Sequence, residues 1–212
     1  MRSSASVEPT PALRGRPRSQ RARRAILDAA RTLVEKGGYA AATIEAVAAR
    51  SGVAKTTVYR WWPNRAALVV DLLVRIAMEA APLPAAGGDP MLALRTELYL
   101  VAEAAEALPG RLLISLLGEA EHDPDIRGAL QVGLFTPRRL AVAKVIRRAQ
   151  LGGALRRGVP PLLAADLFYG PLFYRKFIRH EPVSREFVRH VFQNVLAGMQ
   201  APPRSRSTSR SK

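Results

Sequence analysis

The chain has 212 residues, 48% of them hydrophobic, which is enough for one mid-sized domain or two small ones with a real core. Lys and Arg total 33 against 17 Asp and Glu, a formal charge of +16, and an excess that large points to an anionic polymer or surface as partner. Cysteine is absent and the three histidines, His122, His180 and His190, lie far apart in sequence. That removes disulfide scaffolds, thiolate nucleophiles and Cys-ligated metals, and argues against a His-rich metal or catalytic centre.

The charge is unevenly placed. Residues 1–65 carry 13 basic and 4 acidic side chains, residues 66–200 carry 16 and 13, and residues 201–212 carry four basic and none acidic. A basic N-terminal module joined to a nearly balanced domain with another task is expected. The N-terminus has no apolar stretch before Arg14, so it does not read as a secretory signal, and the longest apolar runs are broken by charge at Asp71, Arg75 and Glu79. No membrane partner and a cytoplasmic location are expected. Residues 1–19 read as a flexible basic arm and 201–212 as a low-complexity Arg/Ser tail.

The first helix is expected over Gln20 to Lys36, with Ile26, Ala29, Ala30, Leu33 and Val34 on one face and Gly37-Gly38 as the stop. A short second helix begins after Thr43, a good N-cap, and ends near Arg50. Ser51-Gly52-Val53 is a tight turn, and a third helix spans roughly Ala54 to Trp61. Pro63 reads as the first residue of a fourth helix carrying Leu68, Leu72 and Ile76. After the break at Pro82 to Gly88, helices are expected over about 91–108, around Leu112 to Gly118, from an Asp123-Pro124 cap toward Arg148, from Leu162 to Phe177 and from Phe187 to Met199. Pro137 should kink or break the long one, and Gly170-Pro171 should bend the next. No alternating strand pattern is present, so the fold reads as all-α with about nine helices.

Two short helices around a glycine turn, within a basic region, describe a helix-turn-helix. The second of them can enter a major groove if it is short and exposed on one face. Lys55, Thr56, Thr57, Tyr59 and Arg60 on that helix are candidates for DNA contact. Thr hydroxyls reach phosphates or base edges, Thr methyls meet thymine methyls, and the Tyr59 hydroxyl suits a phosphate. Arg65, at the start of the fourth helix, could clamp another phosphate. Arg16 and Arg18 could lie along a groove. Trp62 reads as core. Arg23, Arg24 and Arg31 read equally as DNA contacts or as a solvated face.

Residues 20–68 resemble the N-terminal domain of the TetR family of transcriptional regulators. The likeness rests on Ile26-Leu27-Asp28-Ala29-Ala30, Leu33, Tyr39, Thr43-Ile44, Val47-Ala48, the run Ser51 to Trp62, and Asn64-Arg65 through Leu68. The resemblance implies a homodimer that binds double-stranded operator DNA, usually as a repressor, with an effector in the C-terminal domain that lowers DNA affinity. It implies that Thr43 contacts phosphate, that Lys55, Thr56, Thr57, Tyr59 and Arg60 lie on the recognition helix, that Arg65 is the basic residue opening the fourth helix, and that Arg14, Arg16 and Arg18 form a basic arm. Ala54 stands where a Ser or Thr cap is usual, which weakens the helix start by ~1 kcal/mol. Trp62 stands where Phe is commoner, and Arg60 where His is frequent.

The implied division is a DNA-binding domain at 20–66 and a ligand-binding and dimerisation domain at 67–200. The run Asp166 to Arg175, with Pro182 and the last helix, resembles a common C-terminal subtype in which the last two long helices pair with those of a partner. Leu163, Leu167, Phe168, Val188, Val191, Phe192 and Val195 are the expected dimer face. Leu98, Leu112, Leu113, Leu116, Leu117, Phe135 and Leu140 are either pocket lining or plain core, with Tyr99, Glu103 and His122 as scattered polar candidates. The apolar bias points to an uncharged or lipophilic effector. Glu119, Glu121, Asp123 and Asp125 are either a solvated surface or a divalent-ion site. No cofactor, metal or enzymatic activity is expected. The alternative function is non-specific packaging of nucleic acid, which the charge alone would allow.

Overall fold

The computed structural model describes residues 20–200. Helix α1 (Gln20–Ala41) bends at Gly37-Gly38, where Gly38 takes φ +68°, a conformation that favours glycine. Helix α2 (Ile44–Ser51) starts at Thr43, whose Oγ1 accepts from the Ala46 N–H at 3.1 Å, and stops at Gly52 in the left-handed region. Helix α3 (Lys55–Trp61) follows, and Ala54 offers it no side-chain cap. Helix α4 (Arg65–Ala80) does not open at Pro63 as the sequence led us to expect. Asn64 is the cap, its Oδ1 accepting from the Ala67 N–H at 2.8 Å, and Pro63 lies outside the helix. An amide oxygen that satisfies a free helix N–H defines the start better than a proline that merely tolerates the first turn.

The remaining helices are α5 (Pro90–Glu106), α6 (Leu108–Ala120), α7 (Pro124–Leu130), α8 (Thr136–Leu151), α9 (Pro161–Phe173) and α10 (Arg185–Met199). Asp123 caps α7 as its sequence suggests, and Ser184 caps α10. At Pro137 the chain does not break. One π turn (Gln131–Phe135) joins α7 to α8, with the Thr136 N–H reaching back to the Gln131 carbonyl. Proline lacks an N–H and crowds the carbonyl four residues earlier, and one wider turn accommodates both. A second π turn (Tyr174–Ile178) continues α9 beyond Pro171, which lies inside that helix, and closes with Arg179 N–H to Tyr174 O at 3.0 Å. Taking α7, its π turn and α8 as one rod, the described residues form nine helices and no strand.

Two apolar cores hold them. The first joins Ile26, Ala30, Ile44, Val47, Val58 and Trp62 to Leu68 and Leu72 of α4, and continues into Leu112, Leu116 and Ile126. The helix-turn-helix is therefore packed on α6 and α7 through α4. The second core lies among α5, α8, α9 and α10, around Leu98, Ile146, Phe168 and Val188. Among the described residues no helix is long and apolar enough to cross a membrane.

Candidate nucleic-acid interface and ligand cavity

Val58 is fully buried and anchors α3 on the first core. That anchor turns Lys55, Thr56, Tyr59 and Arg60 outward on one side, with Thr57 half-buried at the edge. Lys55 pairs with Glu45 of α2 at 3.1 Å, but both side chains are more than half exposed, so the tie is weak and can yield to a phosphate. The Glu45 carboxyl is held below its ordinary range, first by its own backbone N–H and then by the Lys55 hydrogen bond and charge. Thr43 keeps its hydroxyl proton free of the cap it forms, because the oxygen accepts there. Arg65 lies with its guanidinium 4.2 Å from the centre of the Tyr39 ring, so the start of α4 is stacked on the segment after the α1 bend. Arg14, Arg16 and Arg18 lie outside the described residues.

Below this surface, Trp62 is buried and its Nε1 donates to Asp71 Oδ2 at 3.0 Å. Arg23 pairs with the same carboxylate and sits 5.8 Å from both Trp61 and Trp62 ring centres. Two arginines that read as solvated or DNA-facing are thus engaged with α4: Arg23 with Asp71, and Arg31 with Glu79, besides its own-helix partner Glu35. Arg75 adds a pair to Asp28 at 3.1 Å.

A cavity of about 250 Å³ lies among α4, α5, α6, α8, α9 and the two π turns. Leu73 and Ala77 of α4, Leu113 of α6, and Phe135, Phe173 and Phe177 supply its apolar wall. Gly110 also lines it, and a Cβ there would stand 1.8 Å from the Ala105 carbonyl oxygen, so the α5–α6 corner requires glycine. The other expected lining residues are elsewhere. Leu98 is fully buried in the second core, and Leu112 and Leu116 are buried in the first, because α5 and α6 turn those stripes toward neighbouring helices. Leu117 packs on the edge of the first core and Leu140 is exposed. Tyr99 stacks beneath the Arg185 guanidinium, 4.8 Å away, and Glu103 pairs with the same arginine. His122 is exposed, and among the described residues no group of three or more His, Asp or Glu is placed to hold a metal ion.

Sequence pattern alone does not point to the polar end of the cavity. Arg138 and Tyr169 line it, and both bind Glu97 Oε1: Arg138 Nη1 donates at 2.6 Å and Tyr169 Oη at 2.7 Å. Burial, and then the Glu97 charge, push the Tyr169 hydroxyl well above its ordinary range, so it stays protonated. It gives a partial signal, since Glu97 sits beside Leu98 and three residues after Leu94 in an apolar stripe of α5. At the mouth, Arg139 and Asp166 form a two-pronged pair, with Arg139 Nε donating to Oδ1 at 2.6 Å.

The expected dimer face divides in two. Phe168 and Val188 are fully buried and Val191 nearly so, inside the protomer, because α9 and α10 turn these residues onto α5 and α8. Phe192 and Val195 are half-buried against the same core. Leu163 and Leu167 face solvent.

Comparison with known proteins bears on the whole chain. Residues 26–72 match the model for bacterial regulatory proteins of the tetR family, and residues 84–195 match the tetracyclin repressor-like C-terminal domain. An uncharacterized HTH-type transcriptional regulator of Bacillus subtilis (strain 168), YdeS, is 32% identical over 188 residues, covering 89% of this chain and 94% of its own. The chain belongs to the TetR family of transcriptional regulators. The crystal structure of the TetR family transcription regulator SCO0332 superposes with a TM-score of 0.74 at 31% identity, covering 86% of this chain and all of the other. The HTH-type transcriptional repressor KstR of Rhodococcus jostii (strain RHA1) is 47% identical over 53 residues, a quarter of each chain. As a TetR-family regulator the protein is a DNA-binding transcription factor with an N-terminal helix-turn-helix and a helical C-terminal domain.

Proposed function

We propose that this regulator is a repressor that binds a palindromic operator as a homodimer in the cytoplasm and is released when a small apolar molecule enters the cavity. The head is residues 20–66 and the body 67–200. The observation that carries the reading is the exposed row Lys55, Thr56, Tyr59 and Arg60 on a short helix pinned from behind by Val58. Cationic and hydroxyl groups on one face of such a helix suit phosphates and base edges. Thr43, Thr57 and Arg65 flank that row.

Release is supported by the division of labour on α4. Leu73 and Ala77 wall the cavity, while Asp71, Arg75 and Glu79 hold α1 and Trp62. A ligand that pushes on the first set shifts the second, and with it the head. Such coupling requires the ligand to favour one arrangement of α4 over the other. The test is selection from a random duplex library at physiological salt, followed by titration of the enriched site. A palindrome bound about 10³-fold or more above random duplex is expected. Equal affinity for every duplex, governed by salt alone, would replace this reading with non-specific packaging.

A further inference from the structure

The chemistry of the cavity narrows what can fill it, an inference that rests on the effector reading above. Its size is just below the usual range of about 300–1,000 Å³, so the occupant is one or two fused rings rather than a long molecule. Its apolar wall is aromatic: Phe135 and Phe173 meet edge to face at 6.3 Å between centres, and Phe173 and Phe177 at 4.6 Å. Flat rings pack well against such walls in offset or edge-on geometry.

Charge excludes ions. Arg138 is matched by Glu97 and Arg139 by Asp166, so the lining carries no surplus of either sign. An ionised ligand would arrive without a counter-charge in an apolar space. Hydrogen bonding then selects the head group. Glu97 is 1% exposed, and its Oε1 already accepts from Arg138 and Tyr169. Its Oε2 is buried without a partner. Buried acceptors are costly to leave unmet, and this one calls for a donor. It lies behind the cavity's polar end: Arg138 and Tyr169, which bind Glu97, are wall residues, as is Val101 one turn along α5, while Glu97 itself is not.

We propose that the cavity binds a neutral aromatic molecule bearing a hydroxyl group, its ring among Phe135, Phe173 and Phe177 and its hydroxyl donating into the Glu97–Arg138–Tyr169 cluster. A hydroxyl both donates and accepts, so it meets the wall groups Arg138 and Tyr169 and, as their side chains part to admit it, donates to Glu97 behind them. A carboxylate only accepts and would meet Glu97 as a like charge. An ammonium would meet Arg138 in the same way.

Equilibrium dialysis of the full-length protein without DNA against 2-naphthol, naphthalene and 2-naphthoate tests this. 2-Naphthol is expected to bind about tenfold tighter than naphthalene, with 2-naphthoate the weakest. Glu97→Gln should remove the advantage of the naphthol and leave naphthalene binding unchanged. If that variant fails to fold, the paired replacement Glu97→Leu with Arg138→Met removes the polar end without stranding a charge, and should likewise erase the naphthol's advantage over naphthalene. Equal binding of naphthol and naphthalene, preference for naphthoate, retention of the naphthol advantage in either variant, or binding of none of the three overturns the proposal. A naphthol that binds as described but leaves operator affinity unchanged overturns release by effector instead, and leaves the assignment of the cavity intact.

Discussion

Tyr59 leaves half of its surface in solvent, while Val58 beside it leaves none. Adjacent residues on a helix point about 100° apart, so one packing contact behind α3 is enough to aim the residue next to it. Tyr59→Ala should weaken operator binding by about tenfold through loss of a phosphate contact. The thermal midpoint should change little, since surface substitutions usually stay within about ±0.5 kcal/mol. A large drop in the midpoint, measured by circular dichroism, would mean that the ring supports the core and does not face DNA. Residues of this kind were readable from the chain because their roles depend on near neighbours: Val58 and Trp62 as core, Thr43 as cap. The cavity's polar cluster was not. Arg138 meets Glu97 across 41 residues and Tyr169 meets it across 72. Periodicity says that Glu97 lies on the buried side of α5, but nothing local says which helix brings its partners.

At the scale of the element, the corner where α5 ends and the second π turn begins is tied by one carboxylate. Glu106 accepts from Lys176 Nζ at 2.7 Å and from the Val183 backbone N–H at 2.7 Å. Burial works to raise its carboxyl, but the Lys176 hydrogen bond, the Val183 N–H and the Lys176 charge together outweigh it and hold the group below the ordinary range. A carboxylate with a depressed folded pKa adds stability above its unfolded value of about 4.3, and that contribution is lost as pH falls through the folded value. Glu106→Gln should therefore lower the thermal midpoint at neutral pH, and the gap from the parent should close in acid below that window. A gap that stays constant into acid would show that the tie contributes no pH-dependent stability. The ends of elements were mostly legible, because caps and left-handed glycines act within a few residues: Thr43, Gly52 and Asp123 all mark real boundaries. Prolines are ambiguous in the sequence where the outcome depends on other atoms. Pro63 loses the helix start to the Asn64 amide, and Pro137 is absorbed by a π turn whose central residue, Gly133, approaches Val74 so closely that a Cβ would stand 2.9 Å from its Cγ2. The packing of α4 on that turn, and not the proline alone, decides that the rod continues.

For the molecule as a whole, the proposed palindrome requires two heads about 34–36 Å apart, and the protomer supplies one. The surface best suited to join two copies is on α9 and the first residue of the π turn that continues it. Leu163, Leu167, Gly170 and Tyr174 recur at helical spacing and all face solvent, while Phe168, Ala164 and Ala165 face the protomer's own core. An apolar stripe with a glycine in its middle lets two helices approach closely. Leu167→Asp should place a charge in the centre of that stripe without disturbing the folded protomer, because the side chain is 44% exposed to begin with. Sedimentation velocity should then report a monomer, and the thermal midpoint should cease to depend on protein concentration. Affinity for the full palindrome should fall much more than affinity for a half-site. Val191→Asp is the instructive contrast. That residue is buried against the second core, so the change should unfold the body and abolish pairing for a reason unrelated to the interface. A Leu167→Asp protein that remains dimeric would move the interface off α9, and the half-buried Phe192 and Val195 of α10 would become the next positions to charge. A monomer that still binds the palindrome as tightly as the parent would separate pairing from recognition, and the two-headed reading of the operator would fall with it.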